Sequence, residues 1–330
     1  VDAPVQRRGI GDGLSLGFID CVEVAGRSPL ERLLERLIAI DVASIFVLVP
    51  AASALPLPSF RIPRRSVQLK MVGDMDQGIQ SALDSCAQEE IPHAFVCRAG
   101  AYTETDLLDL FCFHRESRQA VTPTFHSQGS LPLWVADCNK VRQSQRNDFL
   151  DYARQSAASK YFVREYVNWI KTPRDLRNFS ADILSRRCET DPSGRQMRPG
   201  VWLDEGAKIH RRARLVSPAY VGCNSEVQAD VLITRLSCIE RDCCIESGTV
   251  IEDSSILAGT NVGICLDVCH AVVHGSKLFN LERDVVVEIS DERVMRSAPR
   301  SPFATASLDP HFVATPEPRT LPQLWQTENT

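Results

Sequence analysis

Between residues 203 and 262 an aliphatic side chain recurs at every sixth place: Leu203, Ile209, Leu215, Val221, Val227, Ile233, Ile239, Ile245, Ile251 and Leu257. Four places after each stands Ala207, Ala213, Ala219, Ser225, Val231, Ser237, Cys243, Thr249, Ser255 or Asn261, small in every case but Val231. A period of six with a branched aliphatic at one place and a small residue at another predicts a parallel β-helix. Three short strands make one triangular coil; the aliphatic residue fills the prism and the small one lets the chain turn. Sandwich strands alternate with a period of two between irregular turns and hold no such period. At about eighteen residues per coil, ten hexads make about three coils. After Leu257 the series slips by one residue and continues at Val262 and Val268, and residues 276–291 read as closing strands.

The first half carries other periods. Pro29–Ile40 places Leu30, Leu33, Leu34, Leu37 and Ile38 on one helical face, opened by Ser28 as N-cap and Pro29 in the first turn. Ala43–Pro50 is a continuous apolar run, the pattern of a strand covered on both faces. Gln77–Glu89 predicts a helix, His93–Cys97 a short buried strand and Thr105–Arg115 a helix. This alternation predicts an α/β layer with a mostly parallel sheet. Residues 142–186 read as helical, with a helix start at Thr172, Pro173 and Asp175.

Composition narrows the class. Of 330 residues, 44% are hydrophobic and 24% charged, as in ordinary globular protein. A net charge of −5 argues against a general nucleic-acid binder, which needs a basic face. No apolar run is long enough to span a bilayer, and Val1–Arg8 has no apolar signal core. The twelve cysteines are scattered, many at apolar periodic places, and read as free thiols of a reducing cytoplasm.

Three segments precede the hexads in a telling order. They are Val24-Ala25-Gly26-Arg27 with Pro29-Leu30-Glu31-Arg32-Leu33-Leu34, then Ala94–Arg115, then Thr172-Pro173-Arg174-Asp175-Leu176. Together with the hexapeptide repeat they resemble the sugar-nucleotide pyrophosphorylases, or NDP-sugar synthases, over most of residues 9–290. The resemblance implies a Rossmann-like, three-layer nucleotidyltransferase α/β domain over 1–186, a linker over 187–200, a left-handed parallel β-helix over 201–291 and a flexible tail over 292–330. It also implies Mg²⁺-assisted transfer of a nucleotidyl group from a nucleoside triphosphate to a sugar 1-phosphate, serving surface polysaccharide synthesis. A cytoplasmic homo-oligomer joined through the β-helix is expected.

That chemistry needs a Gly-rich phosphate cradle, a lysine on the sugar phosphate and carboxylates on the metal. Gly9-Ile10-Gly11-Asp12-Gly13 is Gly-rich, but Asp12-Gly13 stands where such a loop carries Thr-Arg. Gly9, Gly11 and Gly100 are the candidate substrate contacts. The stretch Phe18–Glu23 holds no lysine. Where the metal aspartate is expected the chain reads Gly100-Ala101, leaving Glu104 and Asp106 as weak metal candidates that equally suit a helix start. Before the Thr-Pro segment stand Asn168 and Lys171, of which only Asn168 could ligate. Four departures together predict that the fold persists without the standard mechanism, and no catalytic residue is assigned. Two alternatives stay open: a non-catalytic subunit that binds a nucleotide sugar, or a hexapeptide acyltransferase using His210, His270 or His274 as base. Cys265, Cys269, His270 and His274 fall within ten residues, but neighbours on a strand point apart, which disfavours zinc. Arg198, Lys208, Arg211, Arg212 and Arg214 form a basic cluster that suits a solvated face, an anionic ligand or the α/β domain.

Overall fold

The computed structural model describes residues 19–50, 67–144, 148–156 and 159–298, all within a compact unit that ends at Ala298. Helix α1, Pro29–Ala39, begins in a capping box: the Ser28 hydroxyl accepts the Glu31 N–H while the Glu31 carboxylate accepts the Ser28 N–H. Strands β1 (Ile45–Pro50) and β2 (Val67–Val72) pair in parallel. There follow α2 (Met75–Gln88), β3 (His93–Cys97), β4 (Tyr102–Thr103), α3 (Leu107–Ser117), β5 (Val121–His126) and β6 (Gly129–Asp137). Next come α4 (Cys138–Gln143), α5 (Phe149–Ser156), β7 (Tyr161–Phe162), β8 (Val167–Asn168) and α6 (Pro173–Leu184).

Strands β3, β6, β5 and β7 lie side by side in that order. The sheet is mixed rather than mostly parallel, because β5 and β6 are a hairpin turning at Ser127-Gln128 and β3 also runs against β6. Only the β5–β7 pair in this sheet is parallel. The two-residue period of β6 splits the core. Leu131, Leu133 and Val135 face Leu34, Leu37, Leu107 and Leu110, while Ala136 and Trp134 face Ile79, Leu83 and Phe149. Helices therefore cover both faces. The stretch expected to be helical from 142 to 186 is broken: α4 and α5 end early, and β7 and β8 intervene before α6. Tyr161 and Val163 join the core shared by β6, and Val167-Asn168 pairs antiparallel with Tyr102-Thr103, so tertiary pairing outweighs local helical tendency there.

Beyond residue 200 each strand pairs with the third strand after it. Val201–Leu203 pairs in parallel with Ala219–Val221, Lys208-Ile209 with Glu226-Val227, and Arg214-Leu215 with Leu232-Ile233, always eighteen residues on. Three parallel ladders thus stack as a coil with three strands per turn. One ladder holds five parallel rungs, from Val201–Leu203 to Ala271–His274, so the coil has four turns rather than about three. Leu215, Val221, Val227, Ile233, Ile239, Ile245 and Ile251 fill the prism. Burying each such side chain stabilises the fold by about 1.5–3 kcal/mol.

The register slip falls earlier than the hexad count places it. Cys238-Ile239 pairs with Ser255-Ile256, seventeen residues on, and every later rung keeps that offset. Ile256, not Leu257, points into the prism, and Leu257 packs outside it against Val272, Phe279 and Leu281. The missing residue is at the corner of Asp253 and Ser254. Hydroxyls at the corners bind the next turn: Ser225 Oγ donates to Glu240 O at 2.7 Å, Thr249 Oγ1 to Gly263 O at 2.6 Å and Ser254 Oγ to Val268 O at 3.3 Å.

Antiparallel strands close both ends. Arg195–Arg198, expected as linker, lies on Val201–Leu203. Lys277–Asn280 and Val285–Glu288 extend the ladder past Ala271–His274, and Met295–Ser297, in the stretch expected to be a loose tail, pairs with Thr260–Val262. No helix among the described residues is long and apolar enough to cross a membrane. Helix α6 lies at the seam: Leu176, Phe179 and Ile183 pack with Tyr220 and Cys238 of the coil.

Candidate functional site

The seam begins at the turn of residues 24–27. Ala25 and Gly26 both have positive φ, 52° and 87°. At Gly26 a Cβ would lie 2.2 Å from the Tyr220 hydroxyl oxygen, so only glycine fits. Ala25 N–H and Gly26 N–H donate to the two carboxylate oxygens of Glu240, at 2.8 and 2.9 Å. Glu240 projects from the coil and is buried. Burial raises its pKa, although the Cys238 thiol and the two N–H donors oppose the rise. Arg32, one turn into α1, is also buried. Its guanidinium donates to Val24 O at 2.9 Å, Thr190 Oγ1 at 2.7 Å and Asp191 O at 3.1 Å.

The strand end that should hold a metal aspartate carries Gly100 at φ 120°, whose carbonyl accepts the Ile170 N–H at 3.1 Å. Glu104 uses its two oxygens on the N–H groups of Glu189 and Thr190, at 2.9 and 3.0 Å. Asp106 caps α3, accepting from Leu108 and Asp109 N–H at 2.9 and 3.0 Å. Among the described residues no three His, Cys, Asp or Glu side chains converge as a metal site, and the two candidate ligands, Glu104 and Asp106, are turned to backbone N–H groups. Gly9 and Gly11 lie outside the described residues. Asn168 stands opposite Tyr102 in the β4–β8 ladder, and its Oδ1 is buried without a hydrogen-bond partner.

Asn168 lines a hollow of about 520 Å³ together with Trp169, Gln128, Asn178, Asp175 and Asp182. Both carboxylates there are engaged. Asp175 accepts from Thr172 N–H and Oγ1, and Asp182 accepts from the Tyr166 hydroxyl at 2.7 Å. The Trp169 ring, with the Lys171 ammonium 4.8 Å from its centroid, three amides and half-used polar groups suit a planar or hydroxylated small molecule.

Around the same helix lies a second hollow, about 380 Å³, lined by Arg174, Arg177, Asn178, Asp253, His270 and Glu282 among others. The slipped corner makes it. Asp253 and His270 both take positive φ, 45° and 49°, and His270 Nδ1 lies 2.6 Å from Asp253 Oδ2. The other Asp253 oxygen accepts from Arg177, which is 3% exposed. His270 Nε2 is left on the hollow side, 3.9 Å from Glu282 Oε1.

The remaining candidates do not gather. His210 Nδ1 accepts the Arg212 N–H at 3.2 Å in a surface turn, and His274 ends the strand Ala271–His274 opposite Lys277. Cys265 and Cys269 are exposed thiols. Lys208 pairs with Glu226 at 2.6 Å and Arg212 with Asp230, each one turn on, which makes that part of the basic cluster a salt-bridged outer face. Glu240, Arg32, Arg177 and Asp253 were not singled out by the sequence. Asp253 carried no mark of its own, because the hexads place the slip after Leu257; the others sit in ordinary amphipathic patterns.

No protein-family profile and no curated protein sequence matches the chain. Among solved structures, the chain is similar to HddC from Yersinia pseudotuberculosis complexed with GMP-PN, at 13% identity and a TM-score of 0.36, over 48% of this chain and 87% of that one. A second structure of HddC from Yersinia pseudotuberculosis aligns at the same identity and TM-score, over 49% and 89%.

Proposed function

We propose that the α/β half is a nucleotidyltransferase-like module that binds a nucleotide or nucleotide sugar without transferring it, and that the coil is a left-handed β-helix through which copies associate. One observation carries the binding reading. The larger of the two hollows above, about 520 Å³, offers the Trp169 ring and the amides of Asn168, Gln128 and Asn178, and both of its carboxylates already accept hydrogen bonds. Aromatic stacking and amide hydrogen bonds recognise bases and sugars; metal-assisted transfer needs convergent carboxylates, and among the described residues no three His, Cys, Asp or Glu side chains converge. Calorimetric titration with nucleotides and nucleotide sugars tests this. Saturable binding that is independent of Mg²⁺ and weakened at least tenfold by Asn178→Ala is expected. Binding unaffected by Asn178→Ala and Asn168→Ala removes this hollow from consideration.

A second reading is favoured by the His270–Asp253 contact of 2.6 Å. A carboxylate on Nδ1 orients an imidazole as a general base at Nε2, as acyl transfer to a hydroxyl requires. Labelled acyl-CoA with nucleotide-sugar acceptors would then yield product lost in His270→Ala and reduced in Asp253→Asn. Product formation unchanged in His270→Ala excludes it.

A further inference from the structure

The coil has three sides, and the α/β half takes one of them. Tyr220 and Cys238, on the ladder that holds Val201–Leu203, pack with Phe179 of α6, and Ser255 Oγ of the same ladder lies 3.1 Å from Ser180 Oγ. A different ladder stacks Arg214-Leu215, Leu232–Thr234, Val250–Glu252 and Asp267–Cys269. Its inward residues, Leu215, Ile233, Ile251 and Val268, fill the prism. Strand side chains alternate, so their neighbours point outward. Arg214, Leu232, Val250 and Asp267 stand in register as one outward column. Thr234, Glu252 and Cys269 form the second, headed by Val216, whose N–H donates to Ile233 O. Val216 is 46% exposed, and Leu232 and Val250 belong to no apolar cluster of the described residues. Arg214 and Asp267 are exposed, and neither has a side-chain partner among the described residues. Glu252 is already paired, with Arg235 at 2.8 Å. The first column thus reads cation, apolar, apolar, anion, and is complementary to its own reverse.

We propose that this side binds a second copy of the chain across a two-fold axis parallel to its strands, with the two coils antiparallel. A two-fold contact sets the same surface on both copies. About that axis Arg214 meets the partner's Asp267 at both ends, Leu232 meets the partner's Val250 in the middle, and Thr234 can donate to the partner's Glu252. Val216 covers the partner's Cys269. An axis along the coil would instead set Arg214 on the partner's Val216 and Val250 on the partner's Glu252, leaving the charges of Arg214 and Asp267 unpaired. Four rungs about 4.8 Å apart span about 14 Å, a face short of the about 800 Å² per partner that a standard interface buries. The dimer is therefore weak and forms as concentration rises. This interface rests on the reading that copies associate through the coil.

Sedimentation velocity on the full chain over a wide concentration range tests it. A reversible monomer–dimer equilibrium is expected, weakened at least tenfold by Leu232→Glu. Arg214→Asp and Asp267→Arg should each weaken it several-fold. An equimolar mixture of those two variants, or the double variant, should restore it, because opposite charges then face each other again. Lys208→Gln, on another side of the coil, should leave it unchanged. Near-ultraviolet circular dichroism checks folding; if Leu232→Glu is misfolded, the charge variants decide. Monomer at every concentration overturns both this interface and association through the coil. A dimer equally stable in the folded variants, or lost in Lys208→Gln, overturns this surface alone. Weakening in both single charge variants without recovery in the mixture or the double variant overturns the antiparallel pairing.

Discussion

Glu240 shows how one buried residue can tie two halves of a chain together. Its two oxygens accept the N–H groups of Ala25 and Gly26, donors that a positive-φ turn cannot satisfy within itself. Burial lifts the folded pKa above the ordinary 4.5. The stability this carboxyl contributes is therefore full below its unfolded value and is lost as pH rises through the raised folded value. Glu240→Gln removes that titration but turns an amide N–H toward an N–H donor, at a cost of about 1–3 kcal/mol. Urea denaturation at several pH values should show the gap between wild type and variant narrowing as pH rises; a widening gap contradicts the assignment. His114 has the opposite sign. It is buried, its Nδ1 lies 2.7 Å from Thr122 Oγ1, and burial lowers its pKa from 6.5 to about 4, helped by His93, whose ring centroid is 5.3 Å away. Each pKa unit is worth about 1.4 kcal/mol, so roughly 3 kcal/mol is present above pH 6.5 and is lost as pH falls toward 4. His114→Asn should flatten that acid limb in urea titrations; an unchanged limb means another group causes it.

Among the elements, the coil was the most legible because its geometry repeats in the sequence. Inward aliphatics from Leu215 to Ile251 stand where the six-residue period puts them. The slip was visible too, but its place was not. Ile256 and Leu257 are both aliphatic and both buried, so only the strand pairing shows which one enters the prism. Helix α1 was readable from Ser28, Pro29 and its leucine face, whereas β7 and β8 were not, because two-residue strands carry no period. Site residues were harder still. Asp106 and Glu104 offered carboxylates near a strand end, and nothing in one dimension shows that backbone N–H groups already occupy them. At a coil corner, Thr249 Oγ1 donates to Gly263 O at 2.6 Å and accepts the Leu266 N–H at 3.2 Å. Thr249→Val keeps the shape that Val231 shows a corner can hold, but leaves two buried groups unpaired. A loss of about 1–3 kcal/mol per group in urea unfolding is expected; a neutral effect means water or neighbours replace the bonds.

Across the whole molecule, α6 fastens the α/β half to the coil. Leu176 and Phe179 pack on Tyr220, Arg174 reaches Asp284 at 2.6 Å, and Arg177 holds the slipped corner through Asp253. Such a seam predicts one calorimetric unfolding transition, lowered by Arg177→Ala because the variant removes the buried guanidinium that joins α6 to Asp253 and leaves a gap in its place. Two transitions, with the coil melting alone, would show the halves to be independent. The central proposal is that the α/β half binds a nucleotide or nucleotide sugar without transferring it. Pyrophosphate release measured with Mg²⁺, each nucleoside triphosphate and a set of sugar 1-phosphates tests it most directly. No release above the buffer rate is expected under conditions where calorimetry shows a nucleotide bound, and robust turnover that requires a divalent ion would contradict it.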